Sequence, residues 1–173
     1  MIQILSDIIV EYCRRQIDAG AQLIQLFESH ALYICPEMSE MMGNSIISIC
    51  NRLKETHPDV PLTVFAKDAS KSLIDILNKC GNIDCFSIDW NRTGEEARNA
   101  YASNGITNYT LQGNLDPCVL YAEGDVIEEQ TRKMIKSFGS KNYISNLGHG
   151  IYLDMPIEGV LKYIETVHSI KIE

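Results

Sequence analysis

Residues 62–89, LTVFAKDASKSLIDILNKCGNIDCFSID, decide the fold, because they hold a short apolar strand, a capped helix and a second short strand in succession. Leu62-Thr63-Val64-Phe65-Ala66 is β-branched and aromatic, as a strand buried on both faces requires. Asp68 or Ser70 can cap a helix whose inner positions are Leu73, Ile76, Leu77 and Cys80, and Gly81 suits its end. Cys85-Phe86-Ser87-Ile88-Asp89 is the next strand. Strands joined through helices pair in parallel with right-handed crossovers.

The same alternation extends in both directions. Toward the start, Ile2, Leu5, Ile9, Tyr12 and Cys13 recur at helical spacing, and the helix gives way at Gly20 to the apolar run Leu23-Ile24-Gln25-Leu26-Phe27. Pro36 suits the first turn of a helix with Met38, Met41, Met42, Ile46, Ile49, Cys50 and Leu53 as its inner stripe. Toward the end, Thr93 and Glu96 form a capping box, and Thr110-Leu111-Gln112-Gly113-Asn114 is the fourth strand. A helix ending near Phe138-Gly139, a fifth strand through Ile144 and Leu147, and a helix entered at Pro156 with Val160, Leu161 and Ile164 inside complete the pattern. The 173 residues fit one domain, 1–173.

Parallel strands all end on the same side, and polar clusters follow each one: Glu28-Ser29-His30, Lys67-Asp68, Asp89-Trp90, Gln112 to Asp116 and Gly148-His149-Gly150. Such convergence is what the C-terminal face of a (β/α)₈ TIM barrel requires, yet only five strands are read where that barrel has eight. In Asn146-Leu147-Gly148-His149-Gly150 one imidazole stands between two glycines at a strand end, where glycine admits close approach of backbone or ligand. Asp68 reads as a cap, Lys67 as an ion-pair partner, Asp89 as a rim hydrogen-bonder, and Asn114 and Asp116 as turn formers, while His57 falls in a solvated loop and His168 at the surface or core edge of the final helix.

Composition narrows the function classes. A net charge of -8 argues against an extended nucleic-acid face. Met1 to Glu11 lacks a basic n-region and is interrupted by Asp7 and Glu11, so neither a signal peptide nor a membrane span is expected. Cys13, Cys35, Cys50, Cys80, Cys85 and Cys118 show no Cys-x-x-Cys spacing, which suits free thiols in a reducing, cytosolic setting rather than disulfides or zinc.

Five segments together resemble the uroporphyrinogen decarboxylase family: Ala19 to Gln22 leading into Gln25-Leu26-Phe27-Glu28-Ser29-His30-Ala31, then Phe65 to Asp68, Ile88-Asp89-Trp90, Thr110 to Pro117, and Asn146 to Gly150. They occur in the family's order along the whole chain. The resemblance implies a (β/α)₈ barrel of which this chain carries the last five β/α units, the N-terminal strands being absent. It implies a homodimeric enzyme of porphyrin and heme biosynthesis that uses no metal, flavin or nucleotide. The tetrapyrrole substrate serves as its own electron sink: a pyrrole carbon is protonated, the acetate loses carbon dioxide, and reprotonation leaves a methyl group.

Carried over residue by residue, the resemblance assigns substrate binding to Ser29 and His149. The family's aspartate, arginines and tyrosine belong to an earlier part with no matching segment here, so no catalytic residue is assigned within this chain. The proline the family commonly has near Leu153 is missing as well. A fragment, a truncated gene model and a diverged protein remain open, and a non-catalytic half-barrel that binds porphyrin or pairs with a full-length homologue is the alternative. Zinc-thiolate methyl transfer, found in the same barrel superfamily, needs a late cysteine, but Ile151 stands two residues after His149 and no cysteine follows Cys118.

Overall fold

The structure, a computed structural model, describes residues 1–102 and 109–171. Its strands lie in one sheet in chain order, β1 (Ile24–Glu28), β2 (Leu62–Ala66), β3 (Cys85–Ser87), β4 (Thr110–Leu115) and β5 (Tyr143–Leu147). Parallel pairing is explicit in β1 with β2, from Ile24 opposite Leu62 to Glu28 opposite Ala66, and in β4 with β5, from Leu111 opposite Tyr143 to Leu115 opposite Leu147. The helices are α1 (Ile2–Asp18), α2 (Ser39–Thr56), α3 (Lys71–Leu77), α4 (Gly94–Ala102), α5 (Gly124–Phe138) and α6 (Ile157–Ser169). Alternation of strand and helix is therefore as the sequence predicts. The chain divides into two compact units, Met1–Phe86 with Ala100–Tyr109, and Ser87–Asn99 with Thr110–Glu173.

In the first unit β2 is buried at all five positions, the pattern of a strand covered on both faces. Its core joins Leu62 to Leu53 of α2 and to Leu73 and Leu77 of α3, all 1% exposed or less. Of the two predicted caps for α3, Ser70 does the work: its hydroxyl accepts the Leu73 N–H at 3.2 Å, while Asp68 sits in the turn before it with φ 53°. Pro36 opens a separate 3₁₀ turn, Pro36–Met38, ahead of α2 rather than the helix itself. Cys13, Cys50, Cys80 and Cys85 are free and buried, and burial raises their thiols, that of Cys85 to about 11, so they serve as small apolar fillers.

The second unit is fastened by local signals. Thr93 and Glu96 close the predicted capping box, with Thr93 N–H on Glu96 Oε2 at 2.8 Å and Glu96 N–H on Thr93 Oγ1 at 3.2 Å. Gly139, at φ 75°, ends α5, and Arg98 donates to the carbonyls of Phe138 and Lys141 at 2.8 and 2.7 Å. One face of β5 meets helices: Tyr143 stacks on Phe138 with ring centroids 4.7 Å apart, and Ser145 Oγ lies 2.8 Å from Tyr163 Oη of α6.

Three predicted helix stripes differ from the structure. In α1 the buried residues are Ser6, Val10 and Cys13, whereas Leu5, Ile9 and Tyr12 are 52%, 37% and 65% exposed. In α6 the buried residues are Gly159, Tyr163 and Thr166, and Leu161 and Ile164 stand outside. At the start of α2, Met38 and Met41 are likewise exposed, and the buried positions there are Ser39 and Gly43, with the apolar stripe packing inward from Ile46 onward. Periodicity finds an apolar face, but it does not say whether anything lies against it. The exposed α1 stripe lines a groove of about 390 Å³ running along β1, with Leu5, Ile9, Tyr12, Leu23, Phe27 and Ile46 on its walls.

Leu53→Ala removes fully buried atoms and is expected to cost about 2–5 kcal/mol in urea unfolding. Leu5→Gln and Leu161→Gln, on the exposed stripes, are expected to stay within about 0.5 kcal/mol of the unaltered chain. Losses from these two as large as that from Leu53→Ala would show the stripes to be packed.

Candidate functional site

Asn114, Trp90 and Gly148 bring three loops of the second unit together at the ends of β3, β4 and β5. Asn114 is only 7% exposed, and its Nδ2 donates to the carbonyls of Asp89 at 2.7 Å and Arg92 at 2.6 Å. Asp89, 1% exposed, turns its Oδ1 to the Asn91 N–H at 2.9 Å, with Arg92 Nη1 at 4.0 Å from the other carboxylate oxygen. Burying a carboxylate is costly unless such partners are present. The sequence expectation of a turn-forming role for Asn114 understates it: the side chain holds the segment after β3 in place, and a turn-rich motif carries no signal for that.

Gly148 fixes the loop after β5. Its N–H donates to the Leu115 carbonyl at 2.7 Å, and a Cβ built there would lie 2.6 Å from Trp90 N and 3.1 Å from the Asn114 carbonyl oxygen. Real Cβ atoms do not approach backbone so closely, so glycine is required by space. Gly150 differs, since a Cβ there meets nothing within 4 Å. Of the two glycines that flank the imidazole, only the first answers to close approach.

His149, half-buried, follows directly from this anchor. Its ring stands edge-on to the Trp90 indole, with centroids 6.1 Å apart and planes at 80°, and its Nδ1 is 3.5 Å from the Gly150 carbonyl oxygen. The Trp90 contact is one that sequence reasoning missed, because nothing in the spacing of residues 90 and 149 reports it. Beyond His149 the loop exposes Ile151, Tyr152 and Leu153 and returns through Asp154, which accepts the Tyr121 hydroxyl at 2.8 Å. That bond to a carboxylate pushes the Tyr121 phenol up to about 12, so Tyr121 stays protonated across the physiological range.

Ser29 belongs to the first unit, in the turn directly after β1. It is half-buried, and its hydroxyl makes no hydrogen bond among the described residues. Beside it Glu28 Oε1 accepts the His30 N–H at 2.9 Å, which holds the turn. The Lys67 N–H donates to the Glu28 carbonyl at 3.0 Å and extends the β1–β2 ladder to the same end. Ser29 and His149 thus each stand at the C-terminal end of a strand, one in each unit. Among the described residues no group of three or more His, Cys, Asp or Glu is arranged to hold a metal ion, and no helix is long and apolar enough to cross a membrane.

The two glycines give a direct check on this geometry. Gly148→Ala is expected to destabilise the chain by about 1–3 kcal/mol, because backbone must shift to admit the methyl group. Gly150→Ala is expected to change the urea midpoint hardly at all. Equal effects would mean that the loop after β5 is not clamped at Gly148.

The uroporphyrinogen decarboxylase (URO-D) family matches residues 1–170. Uroporphyrinogen decarboxylase of Dictyostelium discoideum is 40% identical over 171 residues, that of Salinibacter ruber 38% over 170, and that of Homo sapiens 36% over 175. Each alignment covers 98% of this chain and 46% of the relative, so the chain spans about half the length of the curated relatives it matches. With a match that runs from its first residue to within a few of its last, the chain belongs to the uroporphyrinogen decarboxylase family.

Proposed function

We propose that this chain supplies the substrate-carboxylate-binding part of a uroporphyrinogen decarboxylase, which converts uroporphyrinogen III to coproporphyrinogen III by decarboxylating four acetate side chains. The observation that carries the reading is His149: an imidazole at a strand end, on a loop clamped by Gly148 and oriented by Trp90, inside the segment Asn146 to Gly150 of a family match. Substrate with many carboxylates suits such a site, since imidazole N–H groups and hydroxyls donate to acceptor-only carboxylate oxygens. Ser29 offers an unengaged hydroxyl at the end of β1 for the same purpose.

Protonation of a pyrrole carbon makes a cation conjugated to the acetate; the bond between the acetate methylene and its carboxylate breaks; carbon dioxide leaves, and the electron pair neutralises the cation. A proton then adds to the exocyclic methylene to give the methyl group, and another leaves the ring carbon. Stabilising the cation calls for a fixed negative group beside the ring. No residue of this chain is assigned to that step, because the family's aspartate and arginines have no counterpart among the 173 residues. No resident metal or cofactor enters the scheme. Homodimer formation and a cytosolic setting are part of the proposal.

A second reading is favoured by one observation, the exposed stripe of α1 beside the groove along the outer strand β1. A crossover helix normally packs over two neighbouring strands, and among the described residues the outer edge of β1 pairs with no strand. On this reading the chain is a non-catalytic half that binds porphyrin or docks on a full-length homologue. Size-exclusion chromatography with and without the full-length enzyme separates the two: a mixed species with unchanged turnover favours the second reading.

The isolated chain is expected to convert uroporphyrinogen negligibly, and conversion is expected when a separate chain carrying the N-terminal half of a relative is added. Full turnover by the isolated chain would overturn the division of roles. In the complemented enzyme His149→Ala is expected to lower kcat/KM by about ten- to a hundredfold, the cost of one hydrogen bond to a charged group. Unchanged kinetics in that variant would remove His149 from the site.

A further inference from the structure

We propose that the side-chain amide of Asn146 is a further ligand for a substrate carboxylate at the strand end that carries His149, an assignment that rests on the reading of the site given above. Tyr143 and Ser145 are committed to the helix side of β5 through Phe138 and Tyr163. Successive strand residues alternate faces, so Ile144 and Asn146 lie on the face opposite these helices, and both are exposed. Parallel strands are normally covered on both sides, so an uncovered polar position on the inner side invites a ligand.

The chemistry of Asn146 separates it from its polar neighbours in the second unit. Gln112 Nε2 is spent on Ser87 Oγ at 3.2 Å, and Asn114 Nδ2 on two carbonyls. The oxygen of Asn146 accepts the Leu147 N–H at 2.8 Å. Because that partner is a donor, the accepting atom must be Oδ1, and the opposite end of the amide presents its N–H donors outward. A donor-only end matches a carboxylate, whose two oxygens accept several hydrogen bonds and so can take an imidazole and an amide together. Asparagine is also depleted from strands, and a residue that works against its local preference marks a functional position more often than a structural one.

The test is a fluorescence titration of the chain with uroporphyrin, the stable oxidised octacarboxylate. Asn146→Ala is expected to weaken binding by about ten- to a hundredfold, the worth of one hydrogen bond to a charged acceptor. Asn146→Asp is expected to weaken it further at low salt, with the extra loss shrinking near 0.5 M salt, because repulsion between an exposed carboxylate and the ligand is screened. A merely structural asparagine would show no such salt dependence. If the unaltered chain binds and His149→Ala weakens it, while Asn146→Ala and Asn146→Asp bind as before, the assignment of Asn146 is overturned and the reading of the site stands. An aspartate loss that ignores salt counts against the assignment as well. If the unaltered chain does not bind uroporphyrin at all, both fall together.

Discussion

Parallel strands must be covered on both faces, and this constraint orders everything else in the chain. Each strand is short and followed by a helix, because the return to a parallel neighbour takes a crossover of a dozen or more residues. β2 meets the requirement fully, with all five residues buried. The outermost strands do not: β1 has Phe27 68% exposed, and β5 alternates half-buried with exposed positions from Tyr143 to Leu147. The helices beside them, α1 and α6, carry their apolar stripes uncovered in the same way. Exposed apolar surface on this scale is unusual on a solvated face.

The same constraint places the polar groups. Side chains between the strands and the helices are spent on packing, so chemistry is left to the strand ends and the helix-free face. Asp89, Asn114, Gly148 and His149 lie together at strand ends within the second unit for that reason, and Ser29 lies at the end of β1 within the first. The clamp through Asn114 and the backbone contact at Gly148 convert loops, which are usually the mobile part of a fold, into supports for a side chain.

What was legible in the sequence follows the range of the forces involved. The capping box of Thr93 and Glu96 and the stop at Gly139 are interactions within a few residues, and they form as read. The position of β2 was legible because both-face burial leaves a continuous apolar run. Illegible were facts that depend on a distant partner: that the α1 and α6 stripes stand exposed, and that Trp90 meets His149. Gly148 and Gly150 look alike in sequence, yet only Gly148 faces the backbone of Trp90. The strand-end pattern pointed to a candidate site; the reasons for Asn114, Gly148 and His149 within it lie in contacts across some twenty to sixty residues of chain.

A single imidazole contributes little to recognition if binding must first order it. Immobilising a side chain costs about 0.5–1.5 kcal/mol, comparable with what one hydrogen bond returns. His149 has much of this ordering already, since Gly148 ties the preceding peptide to Leu115 and the Trp90 ring edge limits the rotation of the imidazole. On the proposed reading, a carboxylate arriving at β5 therefore meets donors whose positions are set by packing that does not involve the substrate. That explains why the glycine before the histidine, which touches no ligand, belongs to the site as firmly as the histidine does.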